Sequence, residues 1–244
     1  MSTTNCFVHS GDALAVAKAA KWAEFLTRNK FDFGLIDRID MTAVCPQIYD
    51  PAGNRFAVDF VENRQNYQKK KSNLKSELLS RALGAGKYGL NVLDLSAGLA
   101  VDAVFLAQLG YQVTAVERNP LIFLALEEAL VHKSELSLQF KFGEALDYLK
   151  SDEAAGSVGP ELIYFDPMFP EKTKSALPRQ EMVFFRNLVG RDEDALQILE
   201  HAMKKPGIKR VAVKRPVKAP ALLKTATTIY GKLVRFDLYQ GVNP

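Results

Sequence analysis

Cysteine, histidine and tryptophan are scarce in this chain, numbering two, three and one among 244 residues. Cys6 and Cys45 form no metal-like spacing with His9, His132 or His201, and two thiols cannot build a disulfide scaffold. No bound metal is expected, and the thiols read as buried or incidental. Apolar runs are short, none approaching the ~20 residues of a membrane span, so no membrane partner is expected. The start, Met1-Ser2-Thr3-Thr4-Asn5, has neither the basic residues nor the apolar stretch of a signal peptide, which points to a reduced, cytoplasmic location. Glycine is missing at one informative place. After Gly98, Ala100 stands where a third phosphate-binding glycine would be expected, which weakens a dinucleotide-binding reading.

What is present is an ordinary globular composition, 48% hydrophobic and 25% charged, sufficient for a sizeable core. The formal net charge of +4 is compatible with a polyanionic partner without establishing one. The length suits one large α/β domain and a small appendage.

Residues 1–73 read as that appendage, of α+β type, ending in a basic connecting segment. Leu14, Ala17, Trp22, Phe25 and Leu26 recur at helical spacing and predict a helix over Asp12–Thr27. β-like pieces follow at 33–36, 43–45 and 55–60, punctuated by Pro46, Pro51 and Gly53. Arg64, Lys69, Lys70, Lys71, Lys75 and Arg81 then make the chain basic. Residues 74–244 form the larger domain, and from Val92 onward strands and helices alternate. Strands are predicted at 92–95, 112–116, 136–140, 161–165 and 210–214. Helices are predicted at 99–109, from Pro120 onward, at 143–149, within 181–188 and at 192–203. Two last β segments, 225–230 and 234–239, flank Gly231. This order implies a doubly wound, mainly parallel sheet with helices on both faces and a C-terminal antiparallel hairpin.

Ligands of such sheets bind beyond the carboxyl ends of the strands. Asp94-Leu95-Ser96-Ala97-Gly98 lies at one such end, so Asp94, Ser96 and Gly98 are candidate ligand contacts, and Gly98 with its small neighbours Ser96 and Ala97 lets a ligand approach the backbone closely. Glu117 ends the next strand. Its carboxylate can take both ribose hydroxyls of an adenosine, at roughly 1.5–3 kcal/mol per charged hydrogen bond, or it can cap the helix that starts near Pro120. Asp102 sits in the first turn of a helix and either contacts the ligand or complements the helix dipole. Glu144 and Ala145 follow the third strand, where an adenine edge would lie or where a helix merely starts.

The fourth strand, Leu162-Ile163-Tyr164-Phe165, runs into Asp166-Pro167-Met168-Phe169-Pro170. An exocyclic amine on a nucleobase is a poor nucleophile because its lone pair is delocalised into the ring. Oxygens that accept its two N–H bonds favour a pyramidal nitrogen and aim the lone pair at an electrophilic methyl. The Asp166 carboxylate and the Pro167 carbonyl are the candidate acceptors, and Phe169 can stack on the base for about 1–3 kcal/mol. Such a reaction runs on positioning and electrostatics, without a protein nucleophile or a metal. The competing reading is a rigid proline turn with Phe169 as core packing.

From about Phe56 to Tyr239 the chain resembles the bacterial small-subunit ribosomal RNA methyltransferases of the RsmJ type. The resemblance rests on Leu93–Leu99, Val116–Pro120, Tyr164–Pro170, Lys174–Leu177, Glu181-Met182, Val211–Pro216 and Arg235–Tyr239. Met168, where many amino-methyltransferases carry a second proline, belongs to this family's form of the loop. The resemblance implies a class I methyltransferase fold, S-adenosylmethionine as cofactor, and methylation of N2 of a guanine in 16S rRNA, as naked RNA or within the small ribosomal subunit. It also places Val101, Asp102, Glu117, Arg118, Glu144, Ala145 and Asp166 where the family contacts the methyl donor. Ala100 departs from a family glycine, and Lys71–Lys75 from a glycine-rich basic loop. Lys69, Lys70, Lys71, Lys172, Lys174, Lys214 and Arg215 are the candidate phosphate contacts. Two other readings stay open: methylation of another nucleic-acid or protein amine, and a non-catalytic RNA-binding or assembly protein that keeps the fold.

Overall fold

The structure, a computed structural model, describes residues 6–60, 77–87, 89–151, 159–168, 184, 187–189, 193–225 and 227–241. In chain order the elements begin with β1 (Phe7–Val8), α1 (Ala13–Arg28), β2 (Arg38–Asp40), β3 (Gln47–Tyr49), β4 (Arg55–Phe56) and α2 (Leu78–Ala82). Next come β5 (Asn91–Asp94), α3 (Val101–Gln108), β6 (Gln112–Glu117), α4 (Pro120–Val131), β7 (Leu138–Phe142) and α5 (Ala145–Lys150). The chain finishes with β8 (Leu162–Phe165), α6 (Ala195–Lys204), β9 (Arg210–Pro216), β10 (Thr227–Tyr230) and β11 (Val234–Gln240).

These elements form two compact units, neither of them a single stretch of chain. The first gathers Met1–Glu62 with Asn119–Ser134 and Pro170–Arg191, and the second holds the rest. In the first, β1 to β4 make a small sheet in sequence order, β1–β2 parallel and the others antiparallel. Helix α1 forms as its spacing predicts, capped by Asp12, whose Oδ1 accepts the Leu14 and Ala15 amides at 3.0 Å. It packs on α4 through the stacked rings of Phe25 and Phe123 and an ion pair between Lys18 and Glu128. Helix α4 starts as expected, with Pro120 in its first turn and Asn119 accepting the Leu121 and Ile122 amides.

Two of the expected β pieces in this unit are not strands, because short polar side chains capture the backbone first. Asp32 accepts the Gly34 amide at 2.9 Å and winds Phe33–Leu35 into a single 3₁₀ turn. Asp40 accepts both the amide and the hydroxyl of Thr42, at 2.9 and 2.6 Å, and bends the chain through 43–45. The pairing strands lie beside these turns, at β2 and β3.

The second unit holds a seven-stranded sheet in the order β7-β6-β5-β8-β9-β11-β10. The five strands from β5 to β9 are parallel, and β11 and β10 close the sheet as an antiparallel hairpin. Strand order reverses on either side of β5, so the carboxyl ends of β5, β6 and β8 border the crevice where such sheets bind ligands. Alternate residues along each strand face opposite sides. Leu93, Ile163, Val211 and Val213 pack with Ala145 and Leu149 of α5 and Ala195, Ile198, Leu199 and Ala202 of α6 in one fully buried cluster. The intervening positions, Asp94, Tyr164 and Ala212, face the other way and are also buried. Several boundaries shift by one to three residues from expectation. Strand β7 begins two residues late, at Leu138. Helix α3 begins at Val101 because Ala100, just before it, adopts the left-handed conformation at φ 55° and ψ 22°. The helix expected within 181–188 is described only at 184 and 187–189.

Candidate active site

The turn after β5 is clamped between its two neighbouring strands. The Leu95 amide donates to the Tyr164 carbonyl at 3.0 Å and the Ala97 amide to the Val116 carbonyl at 2.9 Å, so the loop continues both ladders. Asp94, at the end of β5, is buried and accepts the Ser96 amide at 2.9 Å and the Ser96 hydroxyl at 3.3 Å. That hydroxyl in turn accepts the Asp166 amide at 2.7 Å. Ser96 therefore ties the donor-side loop to the loop expected to hold the acceptor base. Burial, reinforced by the nearby carboxylates of Asp102 and Asp166, pushes the Asp94 carboxyl up to about 7, against the opposing pull of the Ser96 hydrogen bonds.

Glu117 ends β6 and is itself only 4% exposed. The Gly98 amide donates to its Oε2 at 2.9 Å, which fixes the carboxylate against the glycine turn. Gly98 has a φ of 53°, the left-handed region that glycine tolerates, and Ala100 repeats that conformation two residues later. The departure from the family glycine thus falls at a position whose left-handed backbone side-chain-bearing residues rarely adopt. An alanine there has the smallest Cβ cost a chiral residue can offer.

Cross-strand register brings a third group into the site. Asp94 pairs with Tyr164 and Tyr164 with Ala212, while Phe165 pairs with Val213. One step further along, Asp166 lies beside Lys214. The Lys214 ammonium reaches Asp166 Oδ2 at 2.9 Å and Asp102 Oδ2 at 2.7 Å, bridging the acceptor loop to the first turn of α3. The Tyr164 hydroxyl donates to the same Asp102 oxygen at 2.5 Å. Burial lowers the proton affinity of Lys214, yet the two carboxylates outweigh it and raise the group above its ordinary value, so it is a permanent cation. Burial and the surrounding carboxylates raise Tyr164 well above the phenolic range and keep it a neutral donor.

Two of the candidate phosphate contacts are engaged within the protein. Lys214 is paired with Asp102 and Asp166 and keeps 25% of its side-chain exposure. Arg215 is 3% exposed and donates to the Pro220 carbonyl, which removes it from any phosphate-facing surface. The alternation of β9 explains both, since Lys214 follows Ala212 towards the site while Arg215 follows Val213 inward. Tyr164 was not singled out from sequence, and only its parity with Asp94 and Asp166 could have pointed to it.

The remaining candidates sit around this cluster. Arg118 Nη1 lies 4.0 Å from Glu144 Oε2 and 4.0 Å from Asp194 Oδ1, beside the ends of β6 and β7. Val101 and Ala145 open α3 and α5, the first exposed and the second buried. Pro167 is buried directly behind Asp166. Phe169, Lys69, Lys70, Lys71, Lys172 and Lys174 lie outside the described residues. Among the described residues no group of histidine, cysteine or acidic side chains is arranged to hold a metal, and no helix is long and apolar enough to cross a membrane.

A carboxylate anchored at the end of β6, a small-residue turn after β5 and an acidic first turn of α3 are thus brought together at the carboxyl edge of the sheet. A family model described as "Putative SAM-dependent methyltransferase" matches residues 35–241. The chain is similar to the ribosomal RNA small subunit methyltransferase J of Bdellovibrio bacteriovorus, 40% identical over 91% of this chain and 90% of that protein. The protein of that name from Marinobacter nauticus is 37% identical over 85% of this chain and 78% of its own length. A solved SAM-dependent methyltransferase from Neisseria gonorrhoeae superposes with a TM-score of 0.66 at 25% identity, covering 84% of this chain and 82% of that one. The expected fold class is thus the observed one, and the chain belongs to the SAM-dependent ribosomal RNA small subunit methyltransferase J family.

Proposed function

We propose that this protein transfers the methyl group of S-adenosylmethionine to the exocyclic N2 amine of a guanine in 16S rRNA. The observation that carries the reading is the meeting of Asp166 with the donor-side loop, through the 2.7 Å bond from its amide to Ser96. When bound, S-adenosylmethionine supplies an electrophilic methyl on a sulfonium cation. Glu117 would hold its ribose hydroxyls, Asp94, Ser96, Gly98, Val101 and Asp102 would line the rest of its path, and Arg118, Glu144 and Ala145 would border its base. Asp166 and the Pro167 carbonyl accept the two N–H bonds of the guanine amine, and Phe169 offers a stacking face. The proton leaves the nitrogen after the new N–C bond forms, so no strong base is required; Asp166 or water takes it. The substrate is 16S rRNA, free or in the small ribosomal subunit, which sets the work in the cytoplasm.

The test is incubation with labelled S-adenosylmethionine and small subunits or 16S rRNA lacking the modification, followed by nucleoside analysis. Label in N2-methylguanosine that disappears with Asp166→Ala supports the reading. Label in another base or in protein would refute the guanine, and failure to bind the donor in calorimetry would refute the enzyme.

A further inference from the structure

From His201 to Phe236 the chain carries ten lysines and arginines and no carboxylate side chain, in a protein whose formal net charge is only +4. Much of that charge is already engaged. Lys205 donates to the Leu149 carbonyl, Lys209 pairs with Glu161, Arg210 donates to the Ala82 carbonyl, and Lys214 belongs to the site. Arg215 and Arg235 are buried. Lys218 and Lys232 are exposed and make no ion pair among the described residues.

These two lysines are neighbours at the carboxyl edge of the sheet. Two residues beyond Lys214, strand β9 ends at Pro216, which pairs with Val234, and the Val217 amide donates to the Leu233 carbonyl at 3.2 Å. The turn carrying Lys218 and the hairpin tip carrying Lys232 thus form one rim, on the same edge as Asp166. Tyr230 and Leu233 flank Lys232 on the tip and are 65% and 79% exposed. The rim is also stiff. Arg235 Nη1 donates to the Pro216 and Val217 carbonyls at 3.1 and 2.6 Å, and its guanidinium is fixed by Asp237 at 2.8 and 3.0 Å. The tip closes tightly at Gly231, where a Cβ would stand 2.6 Å from Leu78 and 2.8 Å from the Val234 carbonyl.

We infer that the rim of Lys218, Tyr230, Lys232 and Leu233 is a docking surface for the single-stranded RNA flanking the acceptor base. The inference rests on the rRNA reading above. Exposed cations on a stretch of chain that carries no carboxylate suit a continuous run of phosphates, and an exposed aromatic ring on a rigid tip suits an unstacked base. A partner protein with mixed surface charge would call for acids as well as bases here.

The experiment uses the full chain in two assays, direct binding of a labelled single-stranded RNA oligonucleotide across a salt series and methyl transfer to 16S rRNA and to small subunits. Lys218→Gln with Lys232→Gln should flatten the salt dependence by about 1.4 log units per log salt, roughly 0.7 for each lost contact. Tyr230→Ala should weaken RNA binding by about fivefold to a hundredfold, the range of one base–aromatic stack. Donor affinity and melting temperature should stay at their native values, which separates lost docking from lost folding. Unchanged RNA affinity and salt slope in both variants, with native methyl transfer intact, would overturn the rim and leave the enzyme reading standing. Rim-dependent RNA binding without methyl transfer would uphold the rim and sink that reading. A defect seen only with assembled subunits, with naked RNA bound and used as before, would assign the rim to a ribosomal protein and overturn the inference.

Discussion

Lys214→Met removes a cation from between two carboxylates while keeping much of the stem's bulk. The ammonium makes two charged hydrogen bonds, at 2.7 Å to Asp102 and 2.9 Å to Asp166. Pairs at this range are worth about 6 kcal/mol each at the effective dielectric of a protein surface. The three side chains keep 25–38% of their exposure, however, so water screens them. Taking the lower bound for a hydrogen bond to a charged group, about 1.5 kcal/mol, gives roughly 3 kcal/mol for the two. If that energy is what orients Asp166 towards the amine, its loss corresponds to a fall of about a hundredfold in kcat. Single-turnover methyl transfer at saturating donor and RNA measures this, and Lys214→Arg should recover part of the rate by keeping the charge. Unfolding midpoints should also drop, because Asp102 and Asp166 would face each other uncompensated. The reasoning is refuted if Lys214→Met keeps kcat within about twofold while raising KM for RNA and flattening its salt dependence. That outcome would make Lys214 the phosphate contact that the sequence alone suggested.

Glu117→Ala should weaken donor binding by at least about tenfold in calorimetry, since on the proposed function it removes charged hydrogen bonds to the ribose and it also frees the Gly98 amide. Ala100→Gly should leave stability within about 1 kcal/mol of native, because relief of the left-handed strain is offset by chain entropy and a lost buried methyl. Ala100→Val should cost about 1–3 kcal/mol more in urea denaturation, as a β-branched residue fits that conformation poorly. Asp94 makes stability depend on pH with a definite sign. Its folded-state value of about 7 lies above the ordinary ~3.9, so the folded protein holds the extra proton and loses stability as pH rises from about 4 to about 7. Denaturation of Asp94→Asn should therefore show a growing advantage over the native chain across that window and a constant one above it. A difference independent of pH would show that Asp94 is ionised throughout.

The parallel sheet, its closing hairpin and the three strand-end acids were legible in the sequence because each rests on a local signal. Strands and helices alternate, and Asp94, Glu117 and Asp166 each sit one step past an apolar run. Lys214 was legible as a residue, but its pairing with Asp166 and Asp102 was not. The nearer partner is 48 positions away, and nothing local distinguishes a lysine that turns into the crevice from one that reaches phosphate. Only the register of β8 against β9 decides it. The small first sheet was read poorly for the opposite reason. Asp32 and Asp40 bind their own neighbours' amides, and such two-residue events overrule β-propensity in pieces this short. Helix α4 follows β6 as expected, yet it clusters with the N-terminal residues, a grouping that no one-dimensional pattern carries.

Asp94, Tyr164 and Ala212 form one rung across three strands, and Ser96, Asp166 and Lys214 meet two residues further along each chain segment. A rung has no tolerance for a change in chain length. Deleting one residue within β9 ahead of Lys214 would slide Arg215 into its place and turn every following side chain to the wrong face. Surface loops of this chain are free to lengthen over evolutionary time, whereas β5, β8 and β9 must accept change by substitution alone. Gaps in related sequences should therefore stop abruptly at the borders of these three strands.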